Sequence, residues 1–291
     1  MAYNNSIELA KAYVPLLDEV YKNASKTAIL DGNPELVRAG QNANELCIPK
    51  IQMSGLGDYS RNGGYVDGDV TLEYETVKCN FDRGRLFQTD VMDNLETAGV
   101  AYGMLASEFI RTKVVPELDA FRFATYAGLT GIGGDSGTLS TGSDVLAALR
   151  AAADEMDEAE VPEEERYLFI TPTLIGMVQD LDTTKSREVL NRFTAVIKVP
   201  QSRFYTAIEQ LDGKSEGETA GGYKKAATGK DINFVIIHKA AVIQFEKHVA
   251  PKVISPEANQ KADAYAFGYR NVGIADAYEN KVAGIYVHHK A

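Results

Sequence analysis

"GLGDYSRNGGYVDGDV", residues 55–70, governs how the rest of the chain has to be read. Five glycines and four charged residues, Asp58, Arg61, Asp67 and Asp69, occupy its sixteen positions, so it has little with which to build a core element. It sits between two stretches that read as strands, 47–53 and 70–79. Together they predict a long two-stranded ribbon. An isolated hairpin is marginal in water, and its edges carry unpaired backbone groups. Such a ribbon needs a partner surface, and a neighbouring copy of the same chain is the natural candidate. Asp58, Tyr59, Arg61, Tyr65, Asp67 and Asp69 are therefore the candidate inter-subunit contacts.

Before the ribbon, Ser6 can cap a helix in which Leu9, Ala12, Tyr13, Leu16, Leu17, Val20 and Tyr21 recur at helical spacing. Pro15 makes it short or broken. This opening reads as an arm lying across something, not as a first core element. After the ribbon, the return strand is expected to run through residue 90, interrupted by a bend or bulge at Asp82–Arg85 where the ribbon joins the body. The strongest helix signal follows, 94–127, about 50 Å long at the standard rise. Asp93 and Glu96 resemble a capping box, Ala98, Tyr102, Leu105 and Phe109 form one stripe, and Val114, Leu118 and Phe121 form another. Pro116 should kink or split it, and Gly128 is placed to end it as a C′ residue.

Residues 128–144 are glycine- and serine-rich. No lysine follows at P-loop spacing and no strand precedes the glycines, so they read as a linker between two domains. The second domain mixes elements: a helix capped by Ser143, the strand "RYLFITP" (166–172), a helix opened by Pro172, and the strands "INFVIIH" (232–238) and "AVIQFE" (241–246). Residues 211–231 read as a polar, mobile loop, and 262–291 as strands returning to the long helix to complete its sheet.

The apolar and charged fractions, 45% and 24%, are those of an ordinary soluble domain. No run reaches the eighteen apolar residues of a membrane span, and Lys11, Asp18, Glu19, Lys22 and Lys26 leave no signal-peptide core. Cytoplasmic synthesis without a membrane partner is the expectation. The net charge of −11 argues against a phosphate-gripping protein. Folding the ribbon about Gly63 would set Cys47 and Cys79 almost opposite each other, as a cross-strand disulfide or as two partly buried thiols.

No chemistry emerges. His238, His248, His288 and His289 lack any metal-ligand spacing. The acidic run "DEMDEAEVPEEE" (154–165) reads as a solvated helix face rather than a cation site. Asp58 with Asp67 and Asp69 fails the calcium-loop template. No catalytic, cofactor or metal residues are assigned.

The order of parts resembles the major capsid proteins of tailed bacteriophages, with the Hong Kong 97 fold. The resemblance rests on "MSGLGDYSRNGGYVDGDVTLEYET" (53–76), "DRGRLFQTDVMDNLET" (82–97), "EFIRTKVVPELDAFRFATYAG" (108–128) and "ADAYAFGYRNVGIADAYENKVAGIYVHH" (262–289). It implies an α+β fold: an N-terminal arm (1–43), an extended hairpin loop lying over an adjacent subunit (44–90), a peripheral domain with a spine helix (91–141 and 251–291), and an axial mixed α/β domain (142–250). It further implies self-assembly into the pentamers and hexamers of an icosahedral head in the host cytoplasm. Portal protein and packaged double-stranded DNA, the latter without strong specific binding, are the implied partners. Some relatives cross-link through a loop lysine; here Lys50 and Lys78 lie toward the ribbon base, so that chemistry is not expected. Some carry a long cleaved scaffolding segment; here residues 1–43 precede the ribbon, so a separate scaffolding protein is expected. Two alternatives stand beside this: the shell protein of an encapsulin-type nanocompartment, and a cytosolic α/β enzyme with a deep pocket of perturbed ionisable groups.

Overall fold

The computed structural model describes residues 25–32, 38–39, 45–91, 108–181, 183–260 and 262–291. The helix expected at 6–28, the Asp93–Glu96 capping box and the stripe from Ala98 to Leu105 fall largely or wholly outside them.

A two-residue strand, β1 (Arg38–Ala39), flanks β2 (Glu45–Met53), which pairs antiparallel with β3 (Val70–Lys78) to make the ribbon. The ladder is centred between Arg61 and Asn62 rather than on Gly63, so Cys47 faces Thr76, three positions short of Cys79. Cys79 is a free thiol, and the cross-strand disulfide is excluded.

The strand is interrupted at Cys79–Asn80, not at Asp82–Arg85. The Asn80 side chain donates to Ala275 O (2.7 Å) and accepts from Ala275 N (3.1 Å), taking the place of a strand residue at the break. The "DRGR" stretch then runs unbroken within β4 (Phe81–Asp90). Gly84 does not break the strand; it admits close approach, since a Cβ there would lie 2.8 Å from Tyr269 O.

The described part of the long helix begins at Glu108. A π turn, Ile110–Val114, leads into α1 (Val115–Ala127), with Pro116 in the first turn. Proline has no N–H to donate and its ring crowds the carbonyl four residues back; the wider turn accommodates both, so the helix continues without splitting. Gly128 caps it with φ −89°, outside the left-handed region expected of a C′ glycine.

The supposed linker contributes an edge strand, β5 (Gly133–Ser136), and Thr141 rather than Ser143 caps α2 (Gly142–Glu158), in a capping box with Asp144. Thereafter come β6 (Arg166–Ile170), α3 (Pro172–Asp180), α4 (Thr184–Asn191), β7 (Ala195–Lys198), β8 (Ile208–Gln210), β9 (Tyr223–Lys225), β10 (Ile232–His238), β11 (Val242–Ile254), β12 (Ala264–Ala277) and β13 (Ile285–His289).

Three sheets concern the body: β5-β13-β10-β6-β7, β11-β12-β4, and the small β8-β9 pair. On one face of the five-stranded sheet, Leu168, Ile170, Phe234 and Ile236 pack against Val145, Leu149, Ile175 and Val189 of the three following helices. On the other, Phe169, Val235, Ile237 and Ile285 meet Phe123 and Tyr126 of α1. Earlier residues of the same helix, Ile110, Val114 and Leu118, pack with Phe81, Phe267 and Tyr269 of the three-stranded sheet. The helix therefore bridges both sheets. β12 returns to it as expected, but β13 does not complete that sheet; it inserts between β5 and β10.

Segment 25–32 is strapped over this junction. Leu30 is buried in the core, and the buried Asp119 accepts hydrogen bonds from Ser25 Oγ (2.8 Å), Thr27 Oγ1 (2.9 Å) and Lys26 N (3.1 Å). Arg203 pairs with Asp119 at 3.2 Å, and buried Arg122 donates to Thr27 Oγ1 and Glu246. A buried carboxylate and a buried guanidinium are tolerable only with this degree of satisfaction.

Candidate inter-subunit ribbon

Directly opposed residues of an antiparallel pair share a face. Ile51 faces Leu72 and Met53 faces Val70, with Tyr74 next in line, whereas Thr71 and Glu73 occupy the alternate positions. The ribbon stem is thus amphipathic, and its apolar face is open: Ile51, Met53, Val70, Leu72 and Tyr74 are 53–72% exposed. Sequence reasoning concentrated on the polar tip and missed these five, although the alternation in "KIQM" (50–53) and "VTLEY" (70–74) is the period-two signal for a half-buried strand.

The tip is shaped by bonds within itself. Ser54 Oγ donates to Asp69 O (3.1 Å) and accepts from Asp69 N (2.9 Å). Ser60 and Gly64 form a bridge; Ser60 Oγ accepts from Gly63 N (2.7 Å), and Gly64 sits at φ +77°, where glycine carries no steric cost. Tyr59 and Tyr65 meet ring to ring at 4.9 Å, and Leu56 is fully exposed. The structure brings Tyr59 and Tyr65 together; Asp58, Arg61, Asp67 and Asp69 are all exposed and form no ion pair among the described residues. Among the described residues, apolar packing against the body is at the base, where Val77 meets Ile243 and Ile274. Nearby, burial pushes the Cys79 thiol above its ordinary value, partly opposed by Lys247.

The body has a cleft of about 1040 Å³ between β4, the π turn and the β8–β9 loop. Arg83 donates to Leu211 O (2.7 Å) and pairs with Glu117 (2.7 Å), and Arg85 donates to Thr219 O (2.9 Å). These bonds hold the 211–231 segment, expected to be mobile, against β4. Burial pushes Tyr223, on the cleft wall, up to about 12, which keeps it protonated rather than poised for acid–base work near neutrality.

Within the acidic run, Asp154 and Asp157 are paired with arginines. Arg192 pairs with Asp154 (2.7 Å) and with Asp157, and the buried Arg166 pairs with Asp157 (2.7 Å). Among the described residues no cluster of ligating side chains could hold a metal ion. No helix among them is long and apolar enough to cross a membrane.

No protein-family model matches this chain, and no curated protein matches it in sequence. Solved structures do. One from Gordonia phage Cozz superposes with a TM-score of 0.59 at 12% identity, covering 92% of this chain and 86% of that one. The capsid structure of cyanophage P-SCSP1u gives 0.54 at 16% identity, covering 87% and 85%. The virus-like particle from Pyrococcus furiosus gives 0.55 at 11% identity, covering 93% and 98%. The chain has the α+β fold of these particles, the Hong Kong 97 type that the order of its parts resembles.

Proposed function

We propose that this chain is the major capsid protein of a tailed bacteriophage, a structural rather than catalytic subunit that assembles into the hexamers and pentamers of an icosahedral head around double-stranded DNA. The observation that carries the reading is the ribbon: five large apolar side chains stand on one open face, and among the described residues the element packs on its own body at its base. A neighbouring copy supplies the missing cover, and repetition by symmetry closes a shell. On this reading 1–43 is the arm, 44–90 the extended loop, 91–141 with 251–291 the peripheral domain and 142–250 the axial domain. Asp58, Tyr59, Arg61, Tyr65, Asp67 and Asp69 meet the adjacent subunit. A separate scaffolding protein, a portal and the host cytoplasm as the place of assembly belong to the same proposal. The net charge of −11 suits a wall that must not grip packaged DNA.

The test is deletion of 56–69, read by light scattering and negative-stain microscopy. A folded, soluble subunit that forms no complete shells is expected; normal particles from the variant would remove the ribbon's role. The near-complete coverage of the Pyrococcus furiosus particle supports a second reading, a nanocompartment shell around a protein cargo. Nuclease-protected DNA inside purified particles favours the head; an enclosed protein favours the compartment.

A further inference from the structure

At the edge of the five-stranded sheet, His288 of β13 is only 2% exposed. Its Nδ1 lies 3.0 Å from Asn233 Nδ2 of β10, and that same Nδ2 lies 3.1 Å from Gly137 O, just beyond β5. Asn233 is the irregular residue of the β10–β13 ladder, where pairing shifts between Ile232 and Phe234; the bulge re-aims its side chain along the sheet. An amide nitrogen only donates, so its contact with a carbonyl fixes the amide orientation and makes His288 Nδ1 an unprotonated acceptor. The imidazole also lies flat on Phe234, 5.0 Å between centroids. One buried amide thus ties together three neighbouring strands.

We propose that the His288–Asn233–Gly137 relay is an acid-sensitive clasp, which reinforces the backbone ladder between β13 and the edge strand β5 near neutral pH and loosens that edge on acidification. A protonated Nδ1 has no lone pair for the Asn233 amide. Rotating that amide would offer Oδ1 to the imidazolium but turn the same oxygen's repulsion on Gly137 O. Either way one of the relay's two hydrogen bonds is lost, the buried one to His288 or the partly buried one to Gly137.

The groups facing the imidazole are few. Asp135 on β5 favours the cation; His289 on β13 opposes it; β10 presents Asn233 and Phe234, which carry no charge. Tyr286, stacked on Phe234, is pushed up to about 12 by burial and stays neutral. Burial dominates and holds His288 below its ordinary value. The neutral imidazole is the folded form, so the clasp is intact above the ordinary value of 6.5 and weakens as pH falls through it.

Amide hydrogen exchange of 133–137, as protection factors between about pH 7.5 and 5 with β6 as internal reference, tests this. In the wild type, protection falls by about tenfold for each unit of pKa depression. His288→Gln, which keeps an acceptor but cannot titrate, removes the pH dependence. Asn233→Ala, which removes the donor to Gly137 O, leaves protection of 133–137 low at both ends of the pH range. Equal losses in wild type and His288→Gln, or no loss in the wild type, overturn the proposal. Should the variants fail to fold, an NMR titration of wild-type His288 decides: the Nε2–H tautomer with a depressed pKa supports the clasp, and an Nδ1–H tautomer or an ordinary pKa overturns it.

Discussion

The ribbon and the five-stranded sheet are built from the same kinds of residue and end in opposite states. In β6 and β10, Leu168, Phe169, Ile170, Phe234, Val235 and Ile236 are buried on both faces, between α1 and the three later helices. In β2 and β3, Ile51, Met53, Val70, Leu72 and Tyr74 are as apolar and stand open to solvent. β-propensity is shared; what differs is what lies opposite. The sheet obtains its burial from its own chain; on the proposed reading, the ribbon obtains it from another copy. The two regions should therefore respond oppositely to equivalent substitutions.

The largest expected effect is in the body. Phe234→Ala should destabilise the subunit by about 3–5 kcal/mol, read as a lower midpoint in urea denaturation. Leu72→Asp on the ribbon should leave that midpoint unchanged within about 0.5 kcal/mol while abolishing particles in light scattering. Equal destabilisation by both would erase the distinction. Next is the strap over the sheet junction. Asp119→Ala strands Arg203 and the Ser25 and Thr27 donors, and a cost of about 3 kcal/mol is expected, with faster proteolysis near 25–32. Thr141→Ala removes the α2 cap and should cost about 1 kcal/mol by thermal denaturation.

The smallest effect is electrostatic. The Arg270 guanidinium beside Asp82 holds its carboxyl below the usual range. The folded pKa is depressed, so this pair's stabilisation is present above the ordinary value of 3.8 and is lost as pH falls through the folded value. Both groups are largely exposed, so Arg270→Ala should leave the urea midpoint at neutral pH nearly unchanged.

Much of this contrast was legible in the sequence because it is local. The glycines and charges of 55–70 mark a segment that cannot enter a core, and "RYLFI" (166–170) and "INFVIIH" (232–238) announce buried strands by unbroken apolar runs. What escaped depends on distant partners. Strand β5 is glycine-rich and becomes a strand only because β13 lies beside it; a Cβ at Gly134 would meet Val287 O at 2.9 Å. The strand break at Asn80 is bridged by Ala275, far along the chain. Nothing near Asp119 in sequence shows that it collects Ser25, Thr27 and Arg203. The apolar ribbon face was legible in principle, through period-two alternation, and was hidden by the polarity of the tip beside it.

The central claim is that another copy of the chain covers the ribbon's apolar face. Hydroxyl-radical footprinting of Met53 and Tyr74, compared between isolated subunits and assembled particles, tests it most directly. Both side chains should label readily in the subunit and become strongly protected in the particle. Equal labelling in the two states would contradict it.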